Sequence, residues 1–144
     1  NFFMIKGVWL FGLSGSGKTY QSNYIFKRKK KSFLIDGDVV RSLISYDLGY
    51  KLSDRIKQNK RVLNIAKLVI KNGYFPIISS VYLDPKVFTE IKKNKIRVIN
   101  IKAPIKKTYN KLKKNRNIVG KSIKQPKIKC EIFNNFKKRK YLYV

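Results

Sequence analysis

With 144 residues, 43% of them apolar, the chain has the length and hydrophobicity of one folded domain. Its single Cys and its lack of His exclude a disulfide framework, zinc chemistry and Ser–His catalysis. A formal charge of +28, with no membrane-length apolar run and no leader pattern, leaves a cytoplasmic protein without a membrane partner as the expectation.

The basic residues are spread along the chain, with dense runs only at residues 27–31 and 137–140. A strongly cationic surface condenses on nucleic acid. A drift of composition toward Lys, Asn and Ile, joined to a pocket for anionic nucleotides, gives the same total. The scattered placement favours the second reading, so no specific nucleic-acid partner is expected.

In chain order, Val8-Trp9-Leu10-Phe11 reads as a buried strand. It runs into Gly12-Leu13-Ser14-Gly15-Ser16-Gly17-Lys18-Thr19, which fits the phosphate-loop pattern G-x-x-x-x-G-K-[ST] at every fixed position. Residues 20–30 can form the helix that this motif requires. In that context inward N–H groups and the helix N-terminus cradle a polyphosphate, Lys18 reaches the β- and γ-phosphates of ATP, and the Thr19 hydroxyl holds Mg2+. Ser32-Phe33-Leu34-Ile35 is a second strand, ending in Asp36-Gly37-Asp38. A helix from Val39 should bury Val39, Val40, Leu43 and Ile44 on one face, with Gly49 as its stop signal.

Ser53 is the expected N-cap of a long helix reaching about Asn72, with a stripe of Ile56, Val62, Leu63, Ala66, Val69 and Ile70. A third strand follows at residues 74–79. Asp84-Pro85 opens another helix, and the alternating Ile96, Val98, Ile99 and Ile101 mark a fourth strand. A basic helix is expected over residues 105–114, a loop over 115–126 and an edge strand over 128–133. Strands alternating with helices imply a single α/β domain over residues 1–144, a three-layer sandwich of the P-loop NTPase type. Its sheet is parallel, with helices on both faces and a ligand at the carboxyl ends of the strands. The phosphate loop, the Asp36-Gly37-Asp38 turn and Ser79-Ser80 all fall at that edge.

A phosphate loop serves kinases, GTPases and motor ATPases alike. Asn94-Lys95 lacks the following Asp of a GTPase base-reading motif, and the third strand ends in Ser79-Ser80 instead of a motor's Asp. The acids sit one strand over, where a small kinase places them against the γ-phosphate and the acceptor hydroxyl. One carboxylate can take the hydroxyl proton and the other can support magnesium. Asp38 is assigned as base and Asp36 as support, with the two roles exchangeable. Arg41, Arg55 and Asn59 follow, the last two on one helix face, and Arg suits forked contacts with phosphate or sulfate.

These motifs, with Leu34-Ile35-Asp36-Gly37-Asp38-Val39-Val40-Arg41, Asp47-Leu48-Gly49-Tyr50, Ser53-Asp54-Arg55, Asn59 and Arg61-Val62, resemble the adenylylsulfate kinase family across roughly residues 7–80. Ala103-Pro104, Ile118-Val119-Gly120 and Pro126 are similar to its later segments. The resemblance implies transfer of the ATP γ-phosphate to the ribose 3′-hydroxyl of a nucleotide carrying a small activated anion. Asp36 and Asp38 would then line the catalytic turn, Arg41, Arg55 and Asn59 would hold the acceptor beside Ser79 and Ser80, and a homodimer is implied. The family's stacking Phe after the third strand is absent or displaced to Tyr82, and its lid, near residues 113–126, is shortened or mobile. Both departures touch the acceptor site. They bring in a related branch that phosphorylates cytidine diphosphoramidate in capsule phosphoramidate synthesis, beside adenylylsulfate itself. A basic P-loop nucleic-acid-binding module and a kinase of another small metabolite are the alternatives.

Overall fold

The computed structural model describes residues 4–104, 118–135 and 141–144. Among these residues the elements run in the order β1 (Gly7–Phe11), α1 (Lys18–Arg28), β2 (Ser32–Asp36), α2 (Gly37–Leu43), α3 (Leu52–Lys71), β3 (Phe75–Ser80), α4 (Pro85–Lys93), β4 (Ile96–Lys102) and β5 (Glu131–Asn134). The strands form one sheet in the order β2-β3-β1-β4-β5, with every pairing parallel. Pleating divides the core. Trp9, Phe11, Ile35, Ile78 and Val98 face α2, α3 and α4 through Val40, Val62, Leu63, Ala66, Val87 and Ile91. Val8, Leu10, Ile77, Ile99 and Ile101 face the other way, against Ile25 of α1 and Leu142. This is the expected three-layer α/β sandwich.

Strand register fixes where the site lies. Asp36 pairs with Ser79, and Ser79 pairs with Leu10, so the acidic turn and the phosphate loop leave the same sheet edge two strands apart. At a strand spacing of about 4.8 Å, their starting points are separated by roughly 10 Å.

Several local expectations are corrected. Only Val40 of the α2 stripe is buried, while Val39, Leu43 and Ile44 are more than half exposed, because this short helix covers the sheet edge with one side alone. It ends at Leu43, well before Gly49. Residues 44–50 instead form a loop tied down by side chains described below. Ser53 is not a cap. The N-cap of α3 is Lys51, without a side-chain cap, since Asp54 in the first turn accepts a hydrogen bond from the Gly49 N–H at 3.0 Å. At α4 the Asp84 carboxylate does cap, accepting from the N–H groups of Lys86 and Val87, with Pro85 in the first turn. The edge strand starts later, at Glu131. The basic helix expected at 105–114 and the first part of the lid lie outside the described residues. No helix among the described residues is long and apolar enough to cross a membrane.

Candidate active site

The phosphate loop closes on itself before α1 begins. The Gly12 N–H donates to the Ser80 carbonyl and the Ser16 N–H to the Leu13 carbonyl. Gly12 passes so close to β4 that a Cβ there would lie 2.2 Å from the Ile101 carbonyl oxygen. Gly17, at φ 100°, takes the left-handed conformation that turns the chain into the helix. Gly17 is the N-cap of α1 and brings no capping side chain, so the first helical N–H groups face the cradle without competition. Lys18 Nζ donates to the carbonyls of Gly12 at 2.6 Å and Leu13 at 2.9 Å. Burial pushes its pKa down to about 8, against the opposing pull of Asp38 and then Asp36.

The acidic turn meets this cradle. A cavity of about 350 Å³ is lined by the loop residues Ser14, Gly15, Gly17, Lys18 and Thr19, and by Asp36, Asp38, Ser79 and Ser80. Asp36 caps α2, its Oδ1 accepting from the Asp38 N–H at 2.8 Å. A second cavity of about 310 Å³ opens alongside, lined among others by Asp38, Arg41, Tyr50, Arg55, Gln58 and Asn59. Asp38 borders both cavities, whereas Asp36 borders the phosphate cavity alone.

Among the described residues, the second cavity is cationic and carries one half-exposed aromatic, Tyr50. Arg41 donates to the Gly49 carbonyl, and Arg55 Nε donates to the Tyr50 carbonyl at 2.8 Å. Their guanidinium carbons lie 4.5 Å and 5.5 Å from the Tyr50 ring centre. Burial lowers the Arg55 pKa, and the neighbouring Arg41 cation lowers it further. Asp47 closes the same loop through a forked pair with Arg61 at 2.6 and 2.8 Å. The Asp47-Leu48-Gly49-Tyr50 motif therefore shapes the loop that presents Tyr50. Tyr82 is 3% exposed and packs with Val119 and Ile123, so it forms wall structure, while Tyr50 is 44% exposed.

Three of the predicted site residues are engaged in holding the frame. Asn59 donates to the Tyr82 carbonyl and accepts from the Asp84 N–H, binding α3 to the β3–α4 connection. The Ser80 hydroxyl accepts from the Trp9 indole N–H at 2.8 Å and donates to the Tyr82 carbonyl. Ser79 is buried beside Gly37, where a Cβ would lie 3.0 Å from the Ser79 carbonyl oxygen. The sequence reading missed Gln58, the neighbour of Asn59. Its Nε2 donates to the Gly37 carbonyl at 3.1 Å, so it grips the acidic turn from α3. Its Oε1 is buried without a hydrogen-bond partner among the described residues. Helical spacing from Arg55 places residues 58 and 59 equally well on this face, so composition alone could not separate them.

Residues 5–111 match the family model for adenylylsulphate kinase. The chain belongs to the adenylylsulphate kinase family. Among curated relatives, the adenylyl-sulfate kinase of Pseudomonas aeruginosa is 35% identical over 78 residues, which cover 51% of this chain and 40% of the relative. Adenylyl-sulfate kinase 3 of Arabidopsis thaliana is 41% identical over 76 residues, covering 50% and 36%. The chain thus spans about two fifths of the length of these relatives. Among solved structures, the Mycobacterium tuberculosis APS kinase in complex with AMPPNP and APS superposes with a TM-score of 0.77 at 17% identity, over 94% of this chain and 91% of that one. At that identity the likeness establishes the fold.

Proposed function

We propose that this chain is an ATP-dependent kinase that phosphorylates the ribose 3′-hydroxyl of a nucleotide bearing a small activated anion. The observation that carries this reading is the position of Asp38 on the border between the phosphate cavity and the cationic cavity. The triphosphate lies in the loop cradle with Lys18 against its terminal phosphates. The acceptor lies in the second cavity, its base against Tyr50 and its anionic group at Arg41 and Arg55. Asp38 accepts the proton of the 3′-hydroxyl as that oxygen bonds to the γ-phosphorus, and the bond from phosphorus to the bridging oxygen breaks to release ADP. The Lys18 ammonium and the first N–H groups of α1 stabilise the charge that moves onto the leaving diphosphate.

The donor set at the cradle fits a magnesium ion. Thr19 and Asp36 are oxygen donors and both line the phosphate cavity. That suits an ion which takes most of its ligands from phosphate and water. When bound it would neutralise β- and γ-phosphate charge, held by Thr19 and supported by Asp36.

Adenylylsulfate is the acceptor suggested by the family. A cytidine diphosphate derivative such as cytidine diphosphoramidate is the second reading, favoured by Tyr50 as the one half-exposed aromatic wall among the described residues, which suits a smaller base. Thermal unfolding with AMPPNP plus each acceptor tests the choice. The true acceptor raises Tm above the AMPPNP value. A chain whose Tm responds to neither acceptor contradicts the proposal.

A further inference from the structure

Asn135 follows the edge strand β5 and lies outside the residues matched by the family model. Its backbone N–H donates to the Lys102 carbonyl at 2.7 Å, which fixes it at the end of β4. From there its side-chain Nδ2 donates to the Ser16 carbonyl at 3.2 Å, across 119 positions of sequence. The same nitrogen covers the next residue, since a Cβ at Gly17 would lie 2.2 Å from it. Asn135 does not line the phosphate cavity, whereas Gly17 does. The amide therefore grips the loop from its outer side.

In a trans peptide the C=O and the following N–H point in opposite directions. A donor that holds the Ser16 oxygen outward thereby turns the Gly17 N–H inward, toward the phosphates. Gly17, at φ 100°, has the freedom to let this peptide rotate, so the loop itself does not fix that direction.

We propose that Asn135 is a positioning residue for the phosphate cradle, locking the Ser16–Gly17 peptide with its N–H toward the nucleotide's β-phosphate. This rests on reading the loop as a polyphosphate cradle, but it requires no particular acceptor. The test is titration calorimetry of the full chain with ADP, AMPPNP and AMP, for wild type and for Asn135→Ala and Asn135→Asp. Loss of one oriented donor is expected to weaken ADP and AMPPNP about tenfold in Asn135→Ala, and by at least as much in Asn135→Asp, whose carboxylate faces the Ser16 carbonyl. AMP, with no β-phosphate, should change by less than about twofold. In wild type the Gly17 amide resonance should shift on adding ADP. That reading needs no variant and stands even if a substitution impairs folding. Unchanged ADP affinity in the variants, equal weakening of AMP and ADP, or a Gly17 amide indifferent to ADP would overturn the assignment. A wild-type chain that binds ADP while phosphorylating no nucleotide would leave it standing and remove only the proposed reaction.

Discussion

Arg55 reaches back from the first turn of α3 to the Tyr50 carbonyl, Nε to O 2.8 Å, with its guanidinium 5.5 Å from the ring of the same residue. One side chain thus fixes both the backbone and the aromatic face of the loop that walls the cationic cavity. Tyr50→Ala should raise KM for the acceptor by roughly 5- to 150-fold, the worth of about 1–3 kcal/mol of base stacking, and leave KM for ATP unchanged. Tyr50→Phe should stay near wild type. Steady-state kinetics with each substrate varied in turn separates these outcomes, and equal effects on both KM values would show a general loss of structure.

The grip of Gln58 on the Gly37 carbonyl makes a second prediction. Gln58→Leu strips the part-buried carbonyl of its donor but also removes the unpartnered Oε1, so the net cost should be about 1 kcal/mol and Tm should fall by roughly 2–5 °C. Because Gly37 sits between Asp36 and Asp38, kcat should fall as well, with ATP binding retained. A variant that loses stability but keeps wild-type kcat would confine Gln58 to the frame.

Lys18 gives a pH dependence with a definite sign. Its pKa is lowered to about 8 in the folded chain from an ordinary 10.5, so the unfolded chain binds more protons between these values. Stability of the nucleotide-free protein should therefore rise with pH across that window. Nucleotide phosphates favour the charged ammonium and pull the pKa back up. Binding of AMPPNP should take up protons at pH 8–9 and weaken above pH 8. Calorimetry in buffers of different ionisation enthalpy reads this uptake, and proton release on binding would contradict the account.

The cradle and its acid also predict a simple separation of folding from turnover. Lys18→Ala and Asp38→Asn should each abolish phosphoryl transfer. Both side chains serve a cavity at the sheet edge and not the core, so circular dichroism spectra should remain those of the wild type. An active Asp38→Asn protein would move the base to Asp36 or elsewhere.

The parts of the molecule legible in the sequence are those carried by local pattern. Val8-Trp9-Leu10-Phe11, the phosphate loop and the Asp84-Pro85 cap form where expected because neighbours in sequence determine them. The stripe on α2 misled because helical spacing shows that a face exists and not that anything packs on it; Leu43 is 71% exposed. Ser53 looked like a cap, yet the helix already starts at Leu52 with Lys51 as N-cap, and Asp54 in its first turn reaches back five residues to the Gly49 N–H. Motif and resemblance singled out Lys18, Asp36, Asp38, Arg41 and Arg55, and the structure places them around two adjoining cavities. The work of Asn59 and Ser80 in holding the frame was not legible, since their partners are Asp84, Tyr82 and Trp9. Asn135 gave no signal at all, because its contact with the loop spans nearly the whole chain.

The central claim is that cradle, carboxylate and cationic cavity converge on one transferable phosphoryl group. Incubating the chain with γ-labelled ATP, magnesium and either adenylylsulfate or cytidine diphosphoramidate tests it most directly, with the product's phosphorylated position read by phosphorus NMR. The account predicts label on the ribose 3′-oxygen of one acceptor, lost in Asp38→Asn. Label found only in free phosphate, or transfer that survives Asp38→Asn unchanged, would contradict it.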